Sequence, residues 1–346
     1  SPAGSHSWVT STTMSIEVTT TDDAERWNEL LTDTDCPTGF HHAAALSVLE
    51  RHTSATCHRL VGYKGQEPVG VFPVFTTRKG PVTVAVSPPP NVKLPYLGPR
   101  MLDRQPLKRR RAEKRNRRFV DACLEWLEAE HGPAYTSIRT TPGYDDVRPF
   151  LWQEYDATLR YTYVVDIDRE PDELLSAFST DARKNVTDEH DVDYELVEGD
   201  ADDIGLIVEQ VRERHAEQGE PFELGGGMVR DLYESLPEGV VRPYVCRIDG
   251  SFAGGFVTVE FSGRGIRWVG GAKPSGDLPV NDLLDWAYIT DAQERGVKRY
   301  DLAGANNPRI ARFKAKFAPE LVPYYALEEG SRTMTTLTKL YGSLRG

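Results

Sequence analysis

Residues 300–325, YDLAGANNPRIARFKAKFAPELVPYY, concentrate groups able to do chemistry. Tyr300 and Asp301 sit in a strand-like segment, a Gly/Asn/Pro loop follows, and Arg312, Lys314 and Lys316 then alternate with Phe313 and Phe317. On a helix or turn the two phenylalanines share one face, four residues apart. Lys314 is then displaced beside them, with Arg312 and Lys316 on other faces. A lysine placed this way stabilises a developing oxyanion or a phosphate; the bland alternative is a solvated lysine beside two core rings. Asp301, at a strand end, either accepts a proton or caps the loop after it. Tyr300, Tyr324 and Tyr325 serve as acids, as substrate walls or as core.

Other candidates lie farther off. Arg183 and Lys184, in the helical stretch STDARKNV, suit an anion because guanidinium forks match phosphate; otherwise they are a solvated surface pair. Asn281 and Asp282 open a helix, and Asn281 reads either as a donor-binding group or as an N-cap. Residues 104–118, RQPLKRRRAEKRNRR, hold nine Lys/Arg and one Glu. This run, with Lys108, Arg109, Arg110, Arg111, Lys114 and Arg115, leads into an amphipathic helix. Cations there oppose the helix dipole, so contact with nucleic acid or anionic lipid is expected beside simple solvation. His41 and His42 point about 100° apart on a helix and have no suitably spaced partner. No metal is expected. Cys36, Cys57, Cys123 and Cys246 form no C-x-x-C pair, which suggests neither a disulfide framework nor a zinc site.

The 346 residues are 39% hydrophobic with a formal net charge of −12. The basic run makes the remainder more acidic still, in the manner of a halophilic surface. No apolar stretch is long enough for a transmembrane helix. The opening residues read as a tag or leader ahead of Met14, and a cytoplasmic protein is expected.

Two stretches share one grammar. From His58 and again from Arg242, alternating apolar segments predict a three-strand antiparallel meander, with turns at Lys64-Gly65, Asp249-Gly250 and Ser262-Gly263. Gly65 and Gly70 recur 185 residues later as Gly250 and Gly255. Helices precede each meander, and a helix and a further strand follow it. His131-Gly132 and Arg295-Gly296 are the expected helix stops. An internal duplication of α+β units is predicted: a leader 1–14, domains 15–157 and 158–330, and a tail 331–346.

This order resembles the GNAT acyltransferase fold in tandem. The segments GFHHAAALSVLE, GQEPVGVFPVF and STDARKNV, and the closing RYDLAG with F-K-x-x-F at Phe313, Lys314 and Phe317, resemble the Fem aminoacyl transferases. They also resemble the BioF-like acetyltransferase domains and the aminoacyl-lipid synthases. The resemblance implies two GNAT-like domains and transfer of an acyl or aminoacyl group to an amine. It places Lys314 near the transferring group; Asp301, at the strand whose mouth would form the acyl site, accepts a proton, orients the attacking amine or caps the loop. It implies no tightly bound cofactor. The donor would be aminoacyl-tRNA or acyl-CoA, and the acceptor an amine-bearing small molecule, lipid or peptide. The sequence departs from the CoA pattern: AKPSGDLPVND carries an isolated Gly276 and an acidic Asp277 where backbone N–H groups would bind pyrophosphate. Three expectations follow: a second domain that uses charged tRNA, the same fold using acyl-CoA, or a non-catalytic module for nucleic acid or anionic membrane. The first domain, lacking F-K-x-x-F, is assigned to acceptor or donor binding.

Overall fold

The structure is a computed structural model that describes residues 15–272, 276 and 278–330. The expected leader and tail, and Asp277, lie outside the described residues. The first half runs β1 (Ile16–Thr20), α1 (Ala24–Thr32), α2 (Ala43–His52), β2 (Thr56–Lys64), β3 (Glu67–Lys79), β4 (Val82–Ser87), β5 (Arg100–Met101), α3 (Arg109–His131), β6 (Tyr135–Arg139) and α4 (Arg148–Leu151). The second opens with β7 (Asp156–Asp166), α5 (Pro171–Ala177), α6 (Thr180–Thr187), β8 (Tyr194–Glu198), α7 (Ala201–Glu217) and α8 (Gly226–Ser235). It continues with β9 (Val241–Ile248), β10 (Ser251–Phe261), β11 (Arg264–Gly270), α9 (Val280–Glu294), β12 (Arg299–Asp301), α10 (Pro308–Ala315) and β13 (Glu320–Gly330).

Local chemistry accounts for the repeated units. Asp249 and Gly250 have φ of 50° and 76°, the left-handed pair that a two-residue hairpin needs. Gly132 closes α3 with φ 49°, as a helix C-terminal glycine does. The basic run is helical from Arg109. Its cost in dipole terms is offset by Phe119, Val120, Cys123 and Leu127, which are buried against the sheet beneath it at roughly 1.5–3 kcal/mol for a fully buried large apolar side chain.

The strands form one sheet in the order β1-β2-β3-β4-β6-β13-β7-β12-β11-β10-β9-β8, with β5 attached to β3. The two halves are thus fused edge to edge by an exchange. β7 follows the first half's last core strand, β6, but pairs antiparallel with β12; β13 follows β12 but pairs with β6. The expected boundary between residues 157 and 158 falls inside β7. One face of the sheet is covered by α1, α2, α7 and α8 over a core that spans both halves. The other is covered by α3 in one half and by α5, α6 and α9 in the other.

Close packing of α9 on the sheet makes Gly265 indispensable: a Cβ there would lie 1.8 Å from the Tyr288 hydroxyl oxygen. Gly265→Ala is therefore expected to cost about 1–3 kcal/mol, read as a lower midpoint of thermal unfolding. Tyr288→Phe in the same chain should recover part of the loss, because it removes the clashing atom.

Candidate active site

The parallel pair β11 and β12 stays in register for three residues only, Arg264↔Arg299 to Ile266↔Asp301. Beyond that point β11 continues against β10 to Gly270. The chain after Asp301 instead follows β7, with Leu302 N–H donating to Tyr163 O and Ala305 N–H to Tyr161 O, both at 2.8 Å. The strands therefore part, and past Ile266 the edge of β11 that faces away from β10 has no strand partner among the described residues. In the first half the same split, after β4 and β6, is filled by the chain itself. Leu94, Tyr96 and Leu97 are buried in it, Leu97 N–H donates to Arg139 O at 3.0 Å, and Gly98 N–H donates to Ser87 Oγ at 3.0 Å. That plug also reaches across: Trp268 Nε1 donates to Lys93 O at 3.0 Å, and Tyr96 OH to Asp301 Oδ1 at 3.3 Å.

Lys314 stands at the end of the second-half slot. α10 is set by Pro308 in its first turn and by Asn307, whose side chain accepts from the N–H groups of Arg309 and Ile310. Phe317 is buried and Phe313 packs against the same core, which fixes the helix face. The Lys314 Nζ donates to Ala303 O and Gly304 O, each at 2.9 Å. An ammonium has three donors, so one remains uncommitted among the described residues. Burial, reinforced by the Arg267 charge, pulls its pKa down to about 8, against the opposing pull of Asp301 and Asp285.

Asp301 is buried, and its Oδ1 accepts from Thr162 Oγ1 at 2.6 Å, Ala303 N–H at 2.8 Å and Tyr96 OH at 3.3 Å. Its Oδ2 has no partner among the described residues. The carboxylate also lines a small cavity between the halves with Tyr96, Thr38, Thr141 and Arg264. Burial raises its pKa; the three donors and Lys314 oppose the rise. It does cap the loop through Ala303, so the loop-cap role and an available second oxygen coexist in one side chain.

A cationic wall surrounds Lys314. The Arg267 guanidinium lies 4.5 Å from the Phe256 ring centroid, and its Nε is 3.0 Å from Asp285 Oδ1. That contact lacks a well-directed hydrogen bond, since Arg267 Nε and Asp285 Oδ2 are both buried without one; it is charge against charge. Arg214 donates to Gly271 O at 3.1 Å, and burial, Arg267 and Arg309 hold its pKa down. Lys316 pairs with the buried Asp282, which also accepts from Asn185 at 2.6 Å.

The remaining sequence candidates divide. Tyr300 is fully buried and donates to Asp285 Oδ1 at 2.7 Å; it orients Asp285 and forms no wall. The β13 alternation points Tyr324 at Tyr96, with ring centroids 4.9 Å apart, whereas Tyr325 packs on the opposite sheet face under the first half. Asn281 is not the N-cap of α9; that position is Pro279. Instead its side chain clasps the loop, accepting from Ala272 N–H and donating to Ala272 O, both at 2.9 Å. Arg183 and Lys184 lie on α6, which packs on α9, and form no ion pair among the described residues. Arg312 is exposed on α10. The basic run lies on α3, with Arg109 bound to Glu113 and Arg115 to Glu67. Among the described residues no His/Cys/Asp/Glu group is arranged to hold a metal. No described helix is long and apolar enough to cross a membrane.

Arg267, Tyr96, Thr162, Arg214 and Asp285 were not anticipated from the sequence. Arg267 left one trace, a charge set between the apolar Ile266 and Trp268 inside the strand RGIRWVG.

Comparison with known proteins agrees with this geometry. Residues 179–315 match the family described as acetyltransferase (GNAT) domain. FemX superposes with a TM-score of 0.69 at 12% identity, covering 89% of this chain and 96% of that one. L-PGS from Bacillus licheniformis gives 0.56 at 11%, with 94% and 97% covered. A tandem GNAT protein from the clavulanic acid biosynthesis pathway gives 0.50 at 13%, with 91% and 98% covered. No curated protein matches the chain. Residues 179–315 thus match a GNAT acetyltransferase domain, which supports an acyltransferase, and the whole chain has the fold seen in tandem GNAT proteins.

Proposed function

We propose that the second-half slot transfers an aminoacyl group from charged tRNA to an amine-bearing acceptor. The observation that carries this reading is the occupation of the α9 N-terminus. A CoA pyrophosphate needs free N–H groups and a positive helix end there. Here Pro279, which lacks an N–H, is the cap, and the buried carboxylate of Asp282 stands in the first turn. The cations spread along the slot, from Lys314 and Arg309 on α10 to Arg267 and Arg214 beside Gly271 and Asn281, an extent that suits a larger polyanion.

In the reaction, the acceptor amine loses a proton to Asp301 Oδ2 and attacks the ester carbonyl of the aminoacyl group. The uncommitted Lys314 N–H faces the oxyanion. The intermediate collapses, the C–O ester bond breaks, and the ribose oxygen leaves with the proton that Asp301 took from the amine, which regenerates the carboxylate. An ester is an activated donor, so positioning supplies much of the acceleration. The acyl-CoA alternative is favoured by the family match. Presenting the protein with labelled aminoacyl-tRNA and labelled acetyl-CoA, each with a panel of amines, separates the two. Consumption of the tRNA ester is expected. Consumption of acetyl-CoA with the tRNA ester untouched would replace this reading by the alternative.

A further inference from the structure

The cations of α3 are the strongest feature that the slot leaves unexplained. Lys108, Arg110, Arg111, Lys114 and Arg118 have no ion pair or side-chain hydrogen bond among the described residues. At about 100° per residue, Arg110, Arg111, Lys114 and Arg118 fall within an arc of about 100°. Asn116, Phe119, Val120, Cys123 and Leu127 occupy the opposite, buried side. The cations therefore form one outward stripe on a chain whose net charge is −12. α4 packs beside α3, and its tip presents Leu151 and Trp152 at 45% and 55% exposure. The guanidiniums of Arg117 and Arg148 lie 5.3 and 5.7 Å from the Trp152 ring centroid. The cations oppose the dipole of their own helix, and beyond the two guanidinium contacts Leu151 and Trp152 face water.

We propose that the outer face of α3 and the tip of α4 form a docking surface for an anionic lipid bilayer. Anionic headgroups attract cations held near the membrane surface, and tryptophan settles at the level of the headgroups. The adjoining Leu151 offers nothing to a nucleobase but suits the acyl boundary, which favours a bilayer over a nucleic acid. A cation stripe flanking an exposed apolar pair is the arrangement of interfacial anchors, in which electrostatic attraction adds to apolar burial. This surface is separate from the slot, and its test needs no acyl donor, so it stands or falls apart from the proposed reaction.

The test is co-sedimentation of the full chain with vesicles of phosphatidylglycerol and phosphatidylcholine, beside vesicles of phosphatidylcholine alone. The protein is expected to pellet with the anionic vesicles only, less so as salt rises. Arg111→Gln with Lys114→Gln should bind about thirtyfold more weakly, from about 1 kcal/mol per surface cation. Trp152→Ser should bind more weakly at every salt concentration. Circular dichroism of both variants checks that they fold. Failure to pellet with anionic vesicles, or unchanged binding by either folded variant, overturns the proposal. So does tRNA binding that depends on Arg111 and Lys114 while the vesicles are ignored.

Discussion

Lys314→Met is expected to lower kcat/KM for acyl transfer by about 10²–10³, the cost of removing one preorganised oxyanion donor. The group is held by two carbonyls at 2.9 Å and retains one donor without a partner among the described residues. Its ammonium is already disfavoured by burial and by Arg267. Methionine preserves the volume beside Phe313 and Phe317, and water can reach the partly exposed Ala303 and Gly304. The unfolding midpoint should therefore move by only a few degrees, which separates a catalytic loss from a folding loss. Because the charged form is the active one, the wild-type rate should fall as pH rises through about 8. A lysine merely packed beside two rings predicts no such alkaline limb and no large loss of rate.

Asp301→Asn gives the second large effect, a fall of about 10²–10⁴ in kcat. Asparagine keeps an oxygen for Thr162, Ala303 N–H and Tyr96, so the loop geometry should persist while the proton acceptor is lost. Burial raises the carboxyl pKa. The base is its charged form, so activity should be lost as pH falls through a value above the ordinary carboxylate range. Wild type should thus show a bell-shaped kcat profile, and the residual activity of the variant should lack its acid limb. A profile unchanged in shape would assign Asp301 to loop structure alone.

Much of this arrangement was legible in the sequence where the signal is local. Alternation located the meanders, Gly65 and Gly250 marked matching turns, and Gly132 and Gly296 marked helix ends, because each reports the conformation of its own few residues. Pairing between distant segments was not legible. A period of two does not say which strand lies alongside, so the exchange of β7 and β13 was invisible. So was the choice between Tyr324 and Tyr325, which depends on which face of β13 meets Tyr96. The Tyr96–Asp301 contact joins residues 205 apart, and nothing local to SPPPNVKLPYLGP foretells a plug that crosses to the other half. Asn281 shows the opposite failure: its type and position at a helix start suit an N-cap, but tertiary context engages it with Ala272. Helix α8 escaped notice because GGG at its start weakens helix propensity, while Met228, Val229 and Leu232 pack it against the shared core.

The account rests on Lys314 acting on the ester of a charged tRNA, and single-turnover transfer tests it most directly. Wild type and Lys314→Met, each in excess over labelled aminoacyl-tRNA, would be mixed with an amine acceptor and followed over time at neutral pH. The account predicts a rapid transfer phase in wild type, slowed at least a hundredfold in the folded variant, with tRNA binding reduced far less than the rate. Equal rates for the two proteins, or no transfer from aminoacyl-tRNA by wild type, would contradict it.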